Sequence, residues 1–266
     1  VIPVVIAICL SFTHFNVLEP PTFNGWGNFQ QLFFNDDLFI TALTNTLTFA
    51  VILGPAGYIL SLAFAWFINE LGPKMRSFMT LLFYAPSLAN IYVIWKVIFS
   101  SDAYGFVNAW LTRLGFITSP VLWLQSKSTM VGVIILILLC ASLSTSFLAF
   151  IAGFQTIDAS LYEAAAGDGI RTRWQELWYI TLPCIKPQLM FSAIMSITSS
   201  FTIGDQITML VGFPSPNYAA HTIMHHLQDY GSTRFEMGYA CAIATVLFLL
   251  MVVCNTLIQK FLRKVG

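Results

Sequence analysis

The chain has 266 residues, of which 57% are hydrophobic, 15% aromatic and only 9% charged, and its mean hydropathy is +0.77. A soluble domain carries about 25% charged residues, and one core of this length cannot hide so much apolar surface, so most of the chain has lipid as its solvent. Twelve basic and twelve acidic residues cancel, which leaves no basic field for nucleic acid and, with the composition, excludes a soluble enzyme, a nucleic-acid binder and a disordered segment.

The chain opens on Val1 inside an apolar run. We expect sequence upstream of it, and read residues 1–17 as the remainder of a spanning helix, not as a signal peptide. A bilayer core needs about 20 mostly apolar residues per helix. Runs of that kind follow at 40–68, 77–99, 128–154, 184–211 and 237–262, which predicts six helices in one transmembrane domain over residues 1–266. They are longer than transmembrane β-strands and lack their alternation, so the expected fold class is an all-α polytopic membrane bundle. Cys9, Cys140, Cys184, Cys241 and Cys254 are dispersed and without ligand-like spacing. They read as apolar packing residues and not as a disulfide or metal framework.

Basic residues set the orientation. Lys74 and Arg76, Arg171 and Arg173, and Lys260, Arg263 and Lys264 follow the second, fourth and sixth spans, whereas Lys96, Arg113, Lys127 and Arg234 lie towards the other side. The richer side is expected to be cytoplasmic, which places both termini inside. Gly54, Pro55 and Gly57, then Pro86 and Gly204, interrupt the second, third and fifth spans. Kinks and close packing account for such residues; flexing during transport is the functional alternative.

The segment 155–183 between the fourth and fifth spans is the most informative. Ser160 and Glu163 have capping-box spacing, which predicts a helix start at Ser160. Leu161 to Ala166 favour helix, and Gly167 and Gly169 stop it. Thr172 and Gln175 form a second capping box for a helix running towards Ile180, and Pro183 suits the entry to the fifth span. A first helix this short is marginal in water, so it needs docking, either to a partner or to the chain's own helix ends.

Glu163-Ala164-Ala165, then Gly169, then Ile180-x-Leu182-Pro183 resembles the EAA loop of inner-membrane permease subunits of binding-protein-dependent ABC importers. The likeness extends over nearly the whole chain and is closest in kind to the sugar-permease (maltose-type, first-permease) branch. It is carried also by Ser11-Phe12-Thr13-His14-Phe15-Asn16, Asn28-Phe29, Leu82-Phe83-Tyr84-Ala85-Pro86, Leu161 to Ala166, and Phe235-Glu236-Met237-Gly238-Tyr239-Ala240. The spacing from Gly169 to Ile180 is one residue longer than the usual pattern. The resemblance implies that Glu163, Ala164, Ala165, Gly169, Ile180, Leu182 and Pro183 form a coupling loop seated in a cytoplasmic ATPase subunit. It further implies a second homologous permease, two ATPase subunits and an extracytoplasmic solute-binding protein, in a bacterial or archaeal inner membrane. The chain has no G-x-x-x-x-G-K-[ST] loop, so ATP and Mg are expected on the partner ATPase, with no cofactor bound by this chain and no enzymatic activity of its own.

A saccharide needs hydrogen-bonding side chains along its path. Candidate pathway residues are Asn90, Ser142, Ser144, Ser199, Ser200, Asp205 and Gln206, with Asn45, Trp95, Thr145, Ser146, Ser196 and Thr198 as further polar positions. Hydroxyls also let helices approach and bond across an interface. An ionisable residue inside a span marks function by default, and Asp205 is either that or a hydrated group near the outer interface. His221, His225 and Asp229 have helical i, i+4, i+8 spacing beside His226, which is metal-ligand geometry on paper; a contact for the binding protein or a plain loop is the preferred reading, with no metal site. A self-sufficient transporter or channel needs internal repeats or paired mid-span charges, and neither is evident. An intramembrane enzyme needs a motif such as H-E-x-x-H, which is absent.

Overall fold

The computed structural model describes residues 2–88, 92–143 and 145–265. Helix α1 (Ile2–Leu10) stops well before residue 17. The Ser11 and Thr13 hydroxyls turn back on the carbonyls of Ile8 and Leu10 at 2.6 and 2.8 Å, a local alternative to continuing the helix. The chain then forms strands β1 (Thr13–His14) and β2 (Thr22–Phe23), an antiparallel pair, and helix α2 (Gly27–Phe34). This pair is the one departure from an all-helical chain among the described residues.

Helix α3 (Asp37–Asn69) runs 33 residues with Pro55 inside it, about 50 Å at the α-helical rise. There follow α4 (Pro73–Leu88), α5 (Tyr92–Ile98), α6 (Phe106–Arg113), α7 (Lys127–Cys140) and α8 (Thr145–Gln155). The expected third span 77–99 is shared by α4 and α5, and the candidate Asn90 lies outside the described residues, as does Ser144. Helices α9 (Ala159–Gly167) and α10 (Arg173–Glu176) come next, then a π-turn at Leu177–Thr181 and the short α11 (Leu182–Cys184). The chain ends with α12 (Lys186–Phe201), α13 (Gly204–Val211), α14 (Ile223–Gln228) and α15 (Met237–Val265).

Among the described residues three stretches are long and apolar enough to cross a membrane: Asp37–Asn69, Lys127–Gln155 and Met237–Lys260. A fourth is the pair Arg173–Cys184 and Lys186–Phe201, bent by 82°. The bend falls at Ile185, between Pro183 and Pro187, two residues without an N–H for the helix ladder. The turn before Pro183 widens, with the Leu182 N–H reaching back to the Leu177 carbonyl. The expected fifth span, 184–211, is thus α12 and α13 separated at Thr202–Ile203.

Contacts divide the chain into two units. The first comprises residues 1–52, 92–137 and 200–253; Phe39, Phe49, Met130, Ile134, Ile207 and Leu210 are fully buried in it. Its N-terminal arm is fixed by Asn28, whose Nδ2 donates to the Ser11 and Thr13 carbonyls, both at 2.8 Å. The start of α15 meets the same arm. The Gly238 N–H donates to the Phe15 carbonyl at 3.0 Å, and a Cβ at position 238 would run into the Thr13 carbonyl oxygen. Three segments that carried the family resemblance, Ser11–Asn16, Asn28–Phe29 and Phe235–Ala240, therefore form one joint.

The second unit comprises residues 53–91, 138–199 and 254–266. Its core packs Ala65, Ile68, Leu143, Phe147, Phe150, Ile151, Phe154 and Ile185. Serines and glycines serve close approach here. Ser146 and Ser192 exchange hydroxyl-to-carbonyl bonds between α8 and α12 at 3.2 and 3.3 Å. The Ser196 hydroxyl donates to the Gly54 carbonyl at 3.0 Å, and a Cβ on Gly57 would come within 3.1 Å of Ser142 Cβ. Lipid is as apolar as a core side chain, so such fitted contacts, more than burial itself, hold membrane helices together.

Candidate functional site

The hairpin from Asp158 to Ile185 is built by local capping. The N-cap of α9 is Asp158, not Ser160: its carboxylate accepts the Ser160 N–H at 3.0 Å, and this bond holds its pKa below the ordinary carboxylate value. Aspartate is among the strongest N-caps and displaces the expected Ser160–Glu163 box by two residues. The helix ends at Gly167, and Gly169 takes φ +95°, a conformation that L-residues avoid. The second box forms as its spacing predicts: the Thr172 hydroxyl accepts the Gln175 N–H at 3.3 Å and Gln175 Oε1 accepts the Thr172 N–H at 3.1 Å.

The two arms are tied to each other and to α3. The Thr181 hydroxyl donates to the Glu176 carbonyl at 3.2 Å and so accepts from the Tyr162 hydroxyl at 3.0 Å. Burial raises the Tyr162 pKa, which keeps that donor protonated. Arg173 bridges Glu176 at 2.7 Å and Glu70, beyond the end of α3, at 3.3 Å. The Trp66 and Trp174 rings meet at 5.1 Å. Trp66, Glu70, Tyr162, Arg173, Glu176 and Thr181 border a cleft of about 220 Å³. Leu182 and Ile157, at the two ends of the hairpin, pack on the core of the second unit.

Of the residues singled out for coupling, Ala165 is buried, Ile180 and Leu182 are half-buried, and Glu163, Ala164, Gly169 and Pro183 are exposed. Nothing lies within 4 Å of the Cβ position of Gly169. The hairpin therefore presents Glu163, Ala164 and the Gly169 corner outward while Ala165 and Leu182 anchor it.

The described pathway candidates are divided between the two units. Ser142 and Ser199 belong to the second unit and return their hydroxyls to the Leu139 and Ser196 carbonyls, at 2.7 and 3.0 Å. Ser200, Asp205 and Gln206 belong to the first. Ser200 is buried. Asp205, in the first turn of α13, is exposed and accepts from Gln228 Nε2 at 2.9 Å. Gln206 Oε1 is buried without a hydrogen-bond partner. Asn45 donates to the His221 carbonyl at 2.9 Å.

Sequence reading missed the polar centre of the first unit. Asp36 Oδ2 accepts from His226 Nε2 at 3.0 Å and from the Tyr239 hydroxyl at 2.8 Å, while its Oδ1 accepts the Phe39 N–H at 2.9 Å. Burial pulls the Asp36 carboxyl upward, but the bonds from Tyr239 and Phe39 outweigh it and leave its pKa lowered. His226 Nδ1 faces His221 Nε2 at 3.4 Å, and His221 stacks on His225. His221 precedes α14, so the helical spacing with His225 and Asp229 does not operate; Asp229 pairs with Arg234 at 2.7 Å. Among the described residues no three His, Cys, Asp or Glu side chains are arranged to hold a metal. The neighbouring histidines were the available signal, but nothing local pointed to Asp36 as their partner. Gly204, which reads as a helix breaker, is a contact: a Cβ there would meet Met224 Cβ at 2.8 Å.

Comparison with known proteins gives these features a context. Residues 57–265 match the family described as "binding-protein-dependent transport system inner membrane component". The probable ABC transporter permease protein YesP of Bacillus subtilis (strain 168) is 30% identical over 98% of this chain and 84% of its own length. The lactose transport system permease protein LacF of Rhizobium radiobacter is 31% identical over 88% of this chain and 79% of its own. A crystal structure of a bacterial alginate ABC transporter in complex with a pentasaccharide-bound periplasmic protein superposes with a TM-score of 0.78, at 25% identity, over 91% of this chain and 83% of that one.

Proposed function

Because this chain belongs to the binding-protein-dependent transport system inner membrane family, we propose that it is the permease subunit of an ABC importer for a sugar or related polar solute. It pairs with a second, homologous permease and receives the solute from an extracytoplasmic binding protein. Two ATPase subunits bind ATP and Mg and supply the energy, and this chain binds no cofactor. Family membership favours this reading over a transporter that works alone. The lactose and alginate systems among its relatives support the solute class, and the basic-residue asymmetry supports a cytoplasmic hairpin and cytoplasmic termini.

The observation that carries the reading is the hairpin. Its Asp158 and Thr172 caps, Gly169 corner and Tyr162–Thr181 tie make a rigid projection, and Glu163 and Ala164 stand exposed on it. Small side chains let an ATPase groove approach the backbone, and Glu163 offers a carboxylate to a cation there. Movement of the ATPases then displaces the hairpin, and with it the second unit through Leu182 and Ile157, in a rigid-body alternating-access cycle. Asp205 and the unpaired Gln206 Oε1, beside the break in the fifth span, are the acceptors we assign to solute hydroxyls.

The test is a mild-detergent pull-down of the tagged chain from its native membrane. An ATPase and a second permease should accompany the wild type, and the Glu163→Arg variant should lose the ATPase. Recovery of the chain alone, still moving solute in liposomes, would overturn the reading.

A further inference from the structure

Three histidines in the segment 212–236 are folded in their neutral form, and their hydrogen bonds fix where each proton sits. His225 Nδ1 accepts the Thr222 N–H at 3.1 Å, closing the N-cap of α14, so the proton is on Nε2 and goes to the Thr208 hydroxyl of α13 at 3.0 Å. His226 gives its Nε2 proton to Asp36, which leaves Nδ1 to accept from His221 Nε2. His221 Nδ1 is then a bare acceptor, buried without a partner. All three side chains are at most 3% exposed. Helix α14 is further tied to α3, where the Thr46 hydroxyl accepts the Ile223 N–H at 2.9 Å.

The charges around the cluster are few. Of the three histidines Asp36 bonds only His226, although its charge and that of Asp229 also reach His221, and that of Asp205 reaches His225. Asp229 is engaged by Arg234, which also lies over the Tyr230 ring at 4.3 Å, and that ring packs on His226. Tyr239 donates to Asp36, Glu236 borders the start of α15, and Asp205 on α13 is engaged by Gln228. His225 and His221 have hydroxyl, backbone, aromatic and imidazole neighbours but no carboxylate in hydrogen-bond contact.

We propose that this segment is an acid-released latch: protonation of His225 and His221 frees α14 from α13 and α3 and opens residues 219–233. A proton on His225 Nδ1 would point at the Thr222 N–H and break the cap. A proton on His221 Nδ1 would place a charge in the buried stack against His225 and His226. Burial holds the His221 pKa at about 4 and lowers those of His225 and His226 from the ordinary 6.5. The opened segment therefore takes up protons first, near 6.5, so closure is complete above that value and is lost as pH falls from there towards about 4. The contacts involved lie on α3, α13, α14, α15 and their adjoining loops, so the latch does not depend on the coupling hairpin; it meets the assigned solute acceptors at Asp205, which Gln228 of α14 holds. Only its placement on the outer face rests on the proposed orientation.

Hydrogen exchange of the full chain, purified with its native partners into lipid nanodiscs, tests this. With rates corrected for intrinsic pH dependence, protection of 219–233 is expected to fall by about tenfold or more between about pH 7.5 and pH 5 and to return on neutralisation, the hairpin 155–183 staying unchanged. His225→Gln keeps the cap, since a glutamine at this position completes a capping box, and its amide still reaches Thr208. His221→Gln still offers an amide N–H to His226 Nδ1. The H221Q/H225Q double variant should hold its protection at the lower pH. Unchanged protection of the wild type across the range would overturn the latch, as would equal acid opening in a double variant that is folded at neutral pH.

Discussion

A single amide side chain, Asn28, closes the N-terminal arm of the first unit by donating to two carbonyls. Asn28→Ala leaves both carbonyls without that donor, and a buried unsatisfied group costs about 1–3 kcal/mol. The variant should show a lowered thermal midpoint in detergent. Gly238→Val should act on the same joint more strongly, because its Cβ meets the Thr13 backbone and not a side chain that can move aside. Overpacking costs about 1–3 kcal/mol where neighbours can yield, and here the arm must detach from α15. Proteolysis within residues 15–26 measures that detachment. The motif residues Asn28 and Gly238 were legible as members of a pattern. What they do was not, since the sequence does not say that positions more than 200 apart share one carbonyl-lined joint. Asp36 was illegible for a related reason: its bonds to His226 and Tyr239 come from elements far along the chain.

Helix ends and turns were read well where the deciding group lies within a few residues. The Thr172 box and the glycine stop at 167–169 follow from local hydrogen-bonding reach. The N-cap of α9 falls two residues before Ser160 because two local caps compete, and Asp158 is the better acceptor. Gly169→Ala must adopt φ +95° with a side chain, a strain of about 1–2 kcal/mol. It should weaken hairpin protection in hydrogen exchange and reduce solute uptake while leaving the chain in the membrane. In the first unit, Asn108 gathers the 100–123 segment: Nδ2 donates to the Ser100, Asp102 and Val121 carbonyls, and Oδ1 accepts from the Val121 N–H and Trp123 Nε1. Asn108→Ala should release this segment, read as faster tryptic cleavage after the exposed Arg113. Element lengths were harder to foresee than ends. An apolar run looks the same whether a helix crosses it whole or divides, as at α12 and α13, so hydropathy alone does not mark the break at Thr202–Ile203.

At the scale of the whole molecule, the solvent decides the balance of forces. Ile2, Val51, Ile59, Leu81, Val97 and Leu257 are all exposed, a penalty in water and none in lipid. Stability therefore rests on fitted contacts such as the Ser146–Ser192 exchange and the Gly57–Ser142 approach. Gly57→Leu should reduce the yield of folded protein in detergent more than any lipid-facing Leu→Ala change, a comparison that size-exclusion profiles settle. If Gln206 lies on the solute path, Gln206→Leu should cut uptake while leaving the partners in the pull-down; unchanged uptake would remove it from the path. Composition and hydropathy by themselves determined that the chain is a helical membrane protein, and the EAA pattern brought out the hairpin, because these properties are set by residues close in sequence. Only the tertiary structure decided which serines are packing residues and which glycines are contacts. It also decided that a carboxylate at 36 meets a histidine at 226, since pairing across 190 positions depends on how helices pack and not on any period along the chain.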